Sequence, residues 1–288
     1  MNVTTPIQNT RTDLAIERLN FAAAETVSRI DQKQSIEHGV LVTQIVVPDG
    51  DAAKEIGKPA GTYLTLEPTR FQTVPEHFEE EVEVLAQKLR ELLPCSFEKV
   101  LVVGLGNQNI TPDALGPKTV EYTMATRHLT ALREMGIPIG ASVCAAAPGV
   151  LGQTGMESAE IIKSICKDLC PDAVIAVDAL AAGSPERLGS TVQLSDTGIS
   201  PGSGVLNKRK ELSQATVGAT VISIGVPTVA DLYADAKTQK DSSEKTIMMV
   251  TPREIDVVIE HAAKLIGFAI NRAMHPGLSI EDITGLVC

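Results

Sequence analysis

Tryptophan is absent from this chain, and aromatic residues of every kind make up 3% of it. The core is therefore expected to be built from Val, Ile, Leu and Ala, without large ring clusters. Basic residues are outnumbered: 25 Lys and Arg face 36 Asp and Glu, for a net charge of −11. A nucleic-acid binder would normally carry a basic footprint, so this balance argues against direct nucleic-acid binding. It is compatible with a basic or unfolded protein as substrate. No apolar run reaches the roughly 20 residues of a membrane helix, and no basic stretch followed by an apolar one opens the chain. Neither a membrane span nor a signal peptide is expected. Cysteine is sparse, with Cys95, Cys144, Cys166, Cys170 and Cys288. The number is odd and the spacing fits no disulfide framework, so a reducing cytoplasm is the expected location. Cys166 and Cys170 fall at i and i+4. They are expected to be two packed thiols on one helix face, because no further ligands follow at zinc-like spacing.

The chain has 288 residues, 43% of them hydrophobic, enough for one large domain or two small ones. It is organised around residues 101–117. Lys99 to Val103 ends as an aliphatic strand, and Gly104 and Gly106 then break it. Asn107 and Asn109 are turn formers, and Thr111-Pro112 keeps the chain extended up to Asp113. An acid thus sits on a glycine-framed loop beyond the carboxyl end of a strand, the edge where open α/β sheets bind ligands. Gly104 and Gly106 do not complete a dinucleotide fingerprint, because Asn109 occupies the place of the third glycine. A second strand, from Pro171 onward, runs into Asp178. An acid after a wholly apolar run needs a partner or a task, although a cap or turn acid is the plainer alternative. If the two strands are parallel neighbours, Asp113 and Asp178 form the candidate active site.

The remaining pattern alternates strands and helices. Strands are expected over Gly39 to Val47, Tyr63 to Leu66, Ile139 to Ala147, Thr191 to Leu194 and Thr220 to Val226, the last ended by Pro227. Helices are expected from Arg11 onward, with Thr12 or Asp13 as cap, and over Pro75 to Leu93, Lys118 to Met135 and Ser158 to Leu169. A last helix is expected over Pro252 to Met274, with Thr251 as cap and Pro252 as its first residue. The Glu79-Glu80-Glu81 run is expected to be a solvated helix start. Met1 to Thr10 reads as a loose tail, and Asn207 to Lys210 adds local positive charge. The fold class is α/β: a mixed, largely parallel sheet with helices on both faces.

Several blocks in colinear order resemble the germination protease family, the spore proteases of endospore-forming bacteria. They are Gly104–Asn107 with Thr111–Pro117, Ala176–Ala182, Ser195–Ile199 with Pro201–Val205, Asn207–Leu212, Gly225–Val229 and Val250–Asp256. The resemblance implies an endopeptidase that degrades small acid-soluble spore proteins at germination, acting in the cytoplasm of the forespore or spore core. It implies a self-cutting zymogen, a homotetramer and an atypical aspartic peptidase whose two essential aspartates match Asp113 and Asp178. No cofactor is called for. The implied fold is phosphorylase/hydrolase-like, shared with hydrogenase maturation endopeptidases, relatives that bind a metal. Those relatives use a histidine as third ligand, and none of His38, His77, His128, His261 and His275 reads as lying at a strand end beside the aspartates. Longer family members also carry an insertion before Val250 that is short here. Thr12-Asp13-Leu14-Ala15 resembles the acid–apolar–Ala pattern that the family cuts, so residues 1–13 are expected to be a pro-segment released between Asp13 and Leu14, and residues 14–288 a single catalytic domain. Asn107 and Gly106 are expected to support the cleft or an oxyanion. The alternatives at this point are a metal-dependent endopeptidase of the hydrogenase-maturation type, or a non-catalytic binder of spore proteins or nucleotides.

Overall fold

A computed structural model of the protein describes residues 11–129, 136–200, 210–233 and 247–287. Among these, nine strands form one mixed sheet: β1 (Asp31–Glu37), β2 (Val40–Val47), β3 (Gly61–Glu67), β4 (Lys99–Gly104), β5 (Ser142–Ala146), β6 (Ala173–Ala182), β7 (Val192–Ser195), β8 (Thr220–Tyr233) and β9 (Ile247–Val250). Their order is β1-β2-β3-β7-β8-β6-β4-β5, with β9 paired to β8. The strands β5, β4, β6 and β8 run parallel, and the pairs β1·β2, β2·β3, β3·β7, β7·β8 and β8·β9 are antiparallel.

The parallel half follows from composition. Val100 to Val103 on β4 and Ala173 to Val177 on β6 are all buried, as strands covered on both faces must be. One face carries α4 (Phe78–Leu92), α5 (Leu115–Glu121) and α9 (Ile255–Met274), packed over Ile175, Val177, Ile222 and Ile224. The other face carries α7 (Ser158–Leu169), whose Ile162 and Cys166 lie on Val174 and Ala176. On that same face α1 (Ala15–Phe21) and α3 (Asp51–Ile56) cover Ile45, Tyr63 and Leu180. The shorter helices are α2 (Ala24–Val27), α6 (Leu151–Thr154), α8 (Gln214–Val217) and α10 (Ile280–Val287).

The structure corrects several expectations. β6 does not end at Asp178 but runs on to Ala182, because β8 continues beside it as far as Ala230. β8 in turn does not stop at Pro227. Pro227 is accommodated at an irregularity where Leu180 pairs with Pro227 and Ala181 with Val229, and a bulge is where a sheet tolerates proline. Of the helix expected over Lys118 to Met135, the described residues are helical to Glu121 and not over 122–129, and 130–135 lie outside the described residues. The last long helix starts at Ile255, not Pro252; the Thr251 hydroxyl donates to the Thr228 carbonyl and caps nothing. Cys166 is buried, but Cys170 ends its helix in a left-handed conformation and is exposed, so the two thiols do not pack together. Glu81 is buried and accepts the Thr69 N–H at 2.7 Å; it is not part of a solvated run. Residues 1–10, 201–209 and Cys288 lie outside the described residues, as do the tail reading and most of the basic stretch at 207–210.

Candidate active site

Asp113 ends a single 3-10 turn, Thr111–Asp113, that follows β4. Three ties fasten this loop to the sheet. The Leu105 N–H donates to the Val177 carbonyl at 2.8 Å, and the Thr228 hydroxyl donates to the Pro112 carbonyl at 2.7 Å. The third tie is steric: a Cβ on Gly116 would stand 2.5 Å from the Val177 oxygen and 2.3 Å from the Leu105 oxygen. Only glycine lets α5 start this close to β4 and β6. Gly104 is the register partner of Val177, so the Asp113 loop is anchored at the residue next to Asp178. The turn itself lies against β6 and β8.

Both carboxylates are oriented by backbone amides. Asp113 Oδ2 accepts the Asn107 N–H at 2.8 Å, and Asp178 Oδ1 accepts the Ala179 N–H at 3.0 Å. Gly106, at φ +112°, backs directly onto Asp113, whose carbonyl oxygen would lie 2.0 Å from an added Cβ. Gly106 and the Asn107 N–H thus both touch Asp113. The Asn107 side-chain oxygen accepts from the Asn109 N–H and from the Gln153 amide, which ties the loop to α6. Asp178 is buried at 4% exposure, on the face it shares with Ala176 and Leu180. Histidines lie elsewhere: His261 bonds to the Phe71 carbonyl, and His275 accepts the Gly140 N–H. Among the described residues no group of three or more His, Cys, Asp or Glu is arranged to hold a metal ion.

A model of the germination protease family matches residues 11–241. The chain belongs to the germination protease family. A germination protease from Clostridium perfringens (strain ATCC 13124) is 39% identical over 318 aligned residues, covering 96% of this chain and 98% of that protein. One from Caldanaerobacter subterraneus is 38% identical over 317, again covering 96% and 98%. One from Geobacillus sp. (strain WCH70) is 44% identical over 274, covering 87% of this chain and 68% of the relative. Among solved structures, the chain is similar to a [NiFe] hydrogenase maturation protease from Thermococcus kodakarensis. The TM-score is 0.37 at 18% identity, over 65% of this chain and 98% of the other. Membership of this family makes the protein a protease of spore germination, and no helix among its described residues is long and apolar enough to cross a membrane.

Sequence reasoning missed a second set of groups on the same sheet face. The N-terminal segment does not begin with the helix; α1 starts at Ala15, and Asp13 lies beside β6. The Asp13 N–H donates to the Ala181 carbonyl at 2.9 Å, and the Ala181 N–H donates to Asp13 Oδ2 at 2.8 Å. The Asp13 carbonyl accepts from Lys58 Nζ at 2.5 Å and from Gln193 Nε2 at 3.0 Å. Gln193 Oε1 accepts the Ala15 N–H at 2.7 Å. These groups border a cavity of about 230 Å³ lined also by Tyr63, Leu180 and Gly225. Burial lowers the Lys58 pKa below the ordinary lysine value, against the opposing pull of Asp13, and pushes Tyr63 up to about 12.

Proposed function

We propose that the protein is an endopeptidase that uses Asp113 and Asp178 to activate water. Its substrates are small acid-soluble spore proteins, and it cuts itself between Asp13 and Leu14. The observation that carries the reading is the anchoring of the Asp113 loop at Val177, beside buried Asp178, in a member of a protease family. Two carboxylates at one site do not both ionise easily, so the pair shares a proton and titrates as a unit. The ionised partner takes a proton from water, and the water oxygen bonds to the peptide carbonyl carbon. The protonated partner donates to the carbonyl oxygen; as the C–N bond breaks, the amine leaves with a proton from the pair. The amides of Asn107 and Ala179 each hold one carboxylate oxygen, fixing the direction in which the other faces. The substrate class, the self-processing, a homotetramer and a location in the spore core follow from the family resemblance.

The test mixes the purified protein with a small acid-soluble spore protein, with and without chelator, and weighs the products. One cut at an acid–apolar–Ala site, insensitive to chelator and lost in both Asp113→Asn and Asp178→Asn, is the expected result. Full activity in Asp113→Asn, or cleavage that needs a divalent metal, overturns the water-activating pair.

A further inference from the structure

The Asp13–Leu14 bond is held in a built site. Resting on the self-cleavage reading above, we propose that Lys58 and Gln193 position the carbonyl that is cut. The channel they form with Ala181 is then the subsite that receives the acid–apolar–Ala segment of a protein substrate.

Three observations support this. First, both donors converge on one oxygen. Lys58 Nζ and Gln193 Nε2 lie 2.5 and 3.0 Å from the Asp13 carbonyl oxygen, the spacing of donors that stabilise a carbonyl gaining negative charge. Second, the Gln193 amide reads main chain on both sides of Leu14, donating to Asp13 O and accepting from Ala15 N. Such a clamp fits an extended peptide of any sequence. Selectivity comes from the neighbours: the Ala181 N–H holds the Asp13 carboxylate, and Leu14 and Ala15 are both 0% exposed. Ala15 is enclosed, so a larger side chain has no room there.

Third, the sheet register brings Gln193 of this clamp into line with Asp178. Asp178 pairs with Gly225, and Gly225 pairs with Gln193, so the three form one row across β6, β8 and β7 and face the same side. Two strand spacings put the Gln193 Cα about 9.5 Å from that of Asp178. Ala181 is three residues further along β6, about 10 Å. The Gln193 side chain, one water and the Asp178 side chain together span the first of these distances. Leu180 leans over Gly225, where a Cβ would stand 2.5 Å from its Cγ, and so forms the floor between clamp and acid.

The first arm of the test follows self-cleavage of the full chain by intact mass, as the rate at which a Leu14 N-terminus appears. Lys58→Met is expected to lower that rate about 100-fold, the loss typical of one carbonyl donor. Lys58→Arg is expected to recover at least about tenfold of it, because a cation is restored to the site. Gln193→Met is expected to slow the reaction by about 100-fold, and Gln193→Glu, which keeps the acceptor for Ala15, by less. Thermal unfolding of each variant shows whether it is folded. The second arm needs no substitution. Wild-type protein that has processed itself is given a Thr-Asp-Leu-Ala peptide, or the same peptide N-methylated at Ala. Loss of the N–H that Gln193 accepts is expected to raise KM about tenfold with kcat kept. Equal KM for the two peptides, or folded Lys58 and Gln193 variants that self-cleave at the wild-type rate, overturns the proposal alone. A wild-type chain that cuts nothing removes the protease reading and the proposal with it.

Discussion

The two halves of the sheet divide the work between them. The parallel half, β5-β4-β6-β8, is mostly aliphatic on both faces, and among the described residues its buried acids are Asp178 and, near the far end of β8, Asp231. The antiparallel half, β1-β2-β3-β7, buries Thr43, Thr65, Gln193 and Ser195 among its apolar residues. In the first half the backbone positions the acids, through close glycine contacts and main-chain amides. In the second half side chains hold a segment of the chain itself. A rigid frame suits groups that must not move during the reaction; a polar face suits a peptide that must come and go. The sharpest way to break this comparison is Asp178→Asn, which leaves the frame in place and removes its acid. Cleavage should fall about 10²- to 10⁴-fold, the range for one general acid or base, while the N-terminal segment stays bound. Intact mass and hydrogen exchange at Ala15 together check both halves of that statement.

The next largest effect is expected at Gly116. Adding a Cβ there drives it against backbone atoms of Leu105 and Val177, which no rotamer change can relieve. Gly116→Ala should cost about 3 kcal/mol, at the high end for overpacking, and should displace the Asp113 loop. Urea unfolding and cleavage should fall together. A variant that unfolds at the wild-type midpoint would show the parallel half to be softer than its contacts suggest.

Glu17 probes the other half. It is buried, accepts the Gly183 and Ser184 N–H groups, bonds the Thr12 hydroxyl and faces Arg187 at 3.8 Å. Glu17→Ala leaves two amides unpaired at the end of β6 and should cost about 2 kcal/mol in urea unfolding. Self-cleavage should slow as well, because Thr12 and Asp13 lose their neighbour. An unchanged unfolding midpoint would mean that water replaces the carboxylate, and the N-terminal docking would then rest on Lys58, Gln193 and the Ala181 main chain.

What the sequence made legible follows the same division. Asp113 and Asp178 stand out because an acid after an aliphatic strand is costly and a glycine-framed loop is local; both signals lie within a few residues. In the sequence Asp178 looks like a strand end because the four residues after it become strand only through β8, far along the chain. Pro227 looked like a stop because the bulge that accepts it belongs to the pairing, not to the proline. β1, Asp-Gln-Lys-Gln-Ser-Ile-Glu, is mostly polar and exposed, so no hydrophobic period announces it. Gln193 and Lys58 carry no motif. Their role arises only where β7, the residue after the glycine that ends α3, and Asp13 meet.

The smallest effect separates a structural lysine from one kept for chemistry. Burial lowers the Lys58 pKa, with Asp13 pulling the other way and Arg18 adding to the fall; Arg11, Glu211 and Tyr63 border the same cavity. A base whose folded pKa lies below its unfolded value binds fewer protons when folded. Stability is therefore reduced by a constant amount below the folded pKa, rises with pH between the two values, and is fully recovered above the ordinary lysine value of about 10.4. The change is best followed in an Asp178→Asn background, where the chain stays whole. There the unfolding temperature, scanned upward from about pH 7, should gain a rising contribution from Lys58 that Lys58→Met abolishes. At neutral pH Lys58→Met should unfold no lower than its parent, since it removes a half-buried charge whose partial desolvation is unfavourable. A drop at neutral pH would make Lys58 a stabilising contact of the antiparallel half. No drop, together with slowed self-cleavage in the catalytically intact chain, would mark it as a charge held at a cost to stability for the carbonyl it touches.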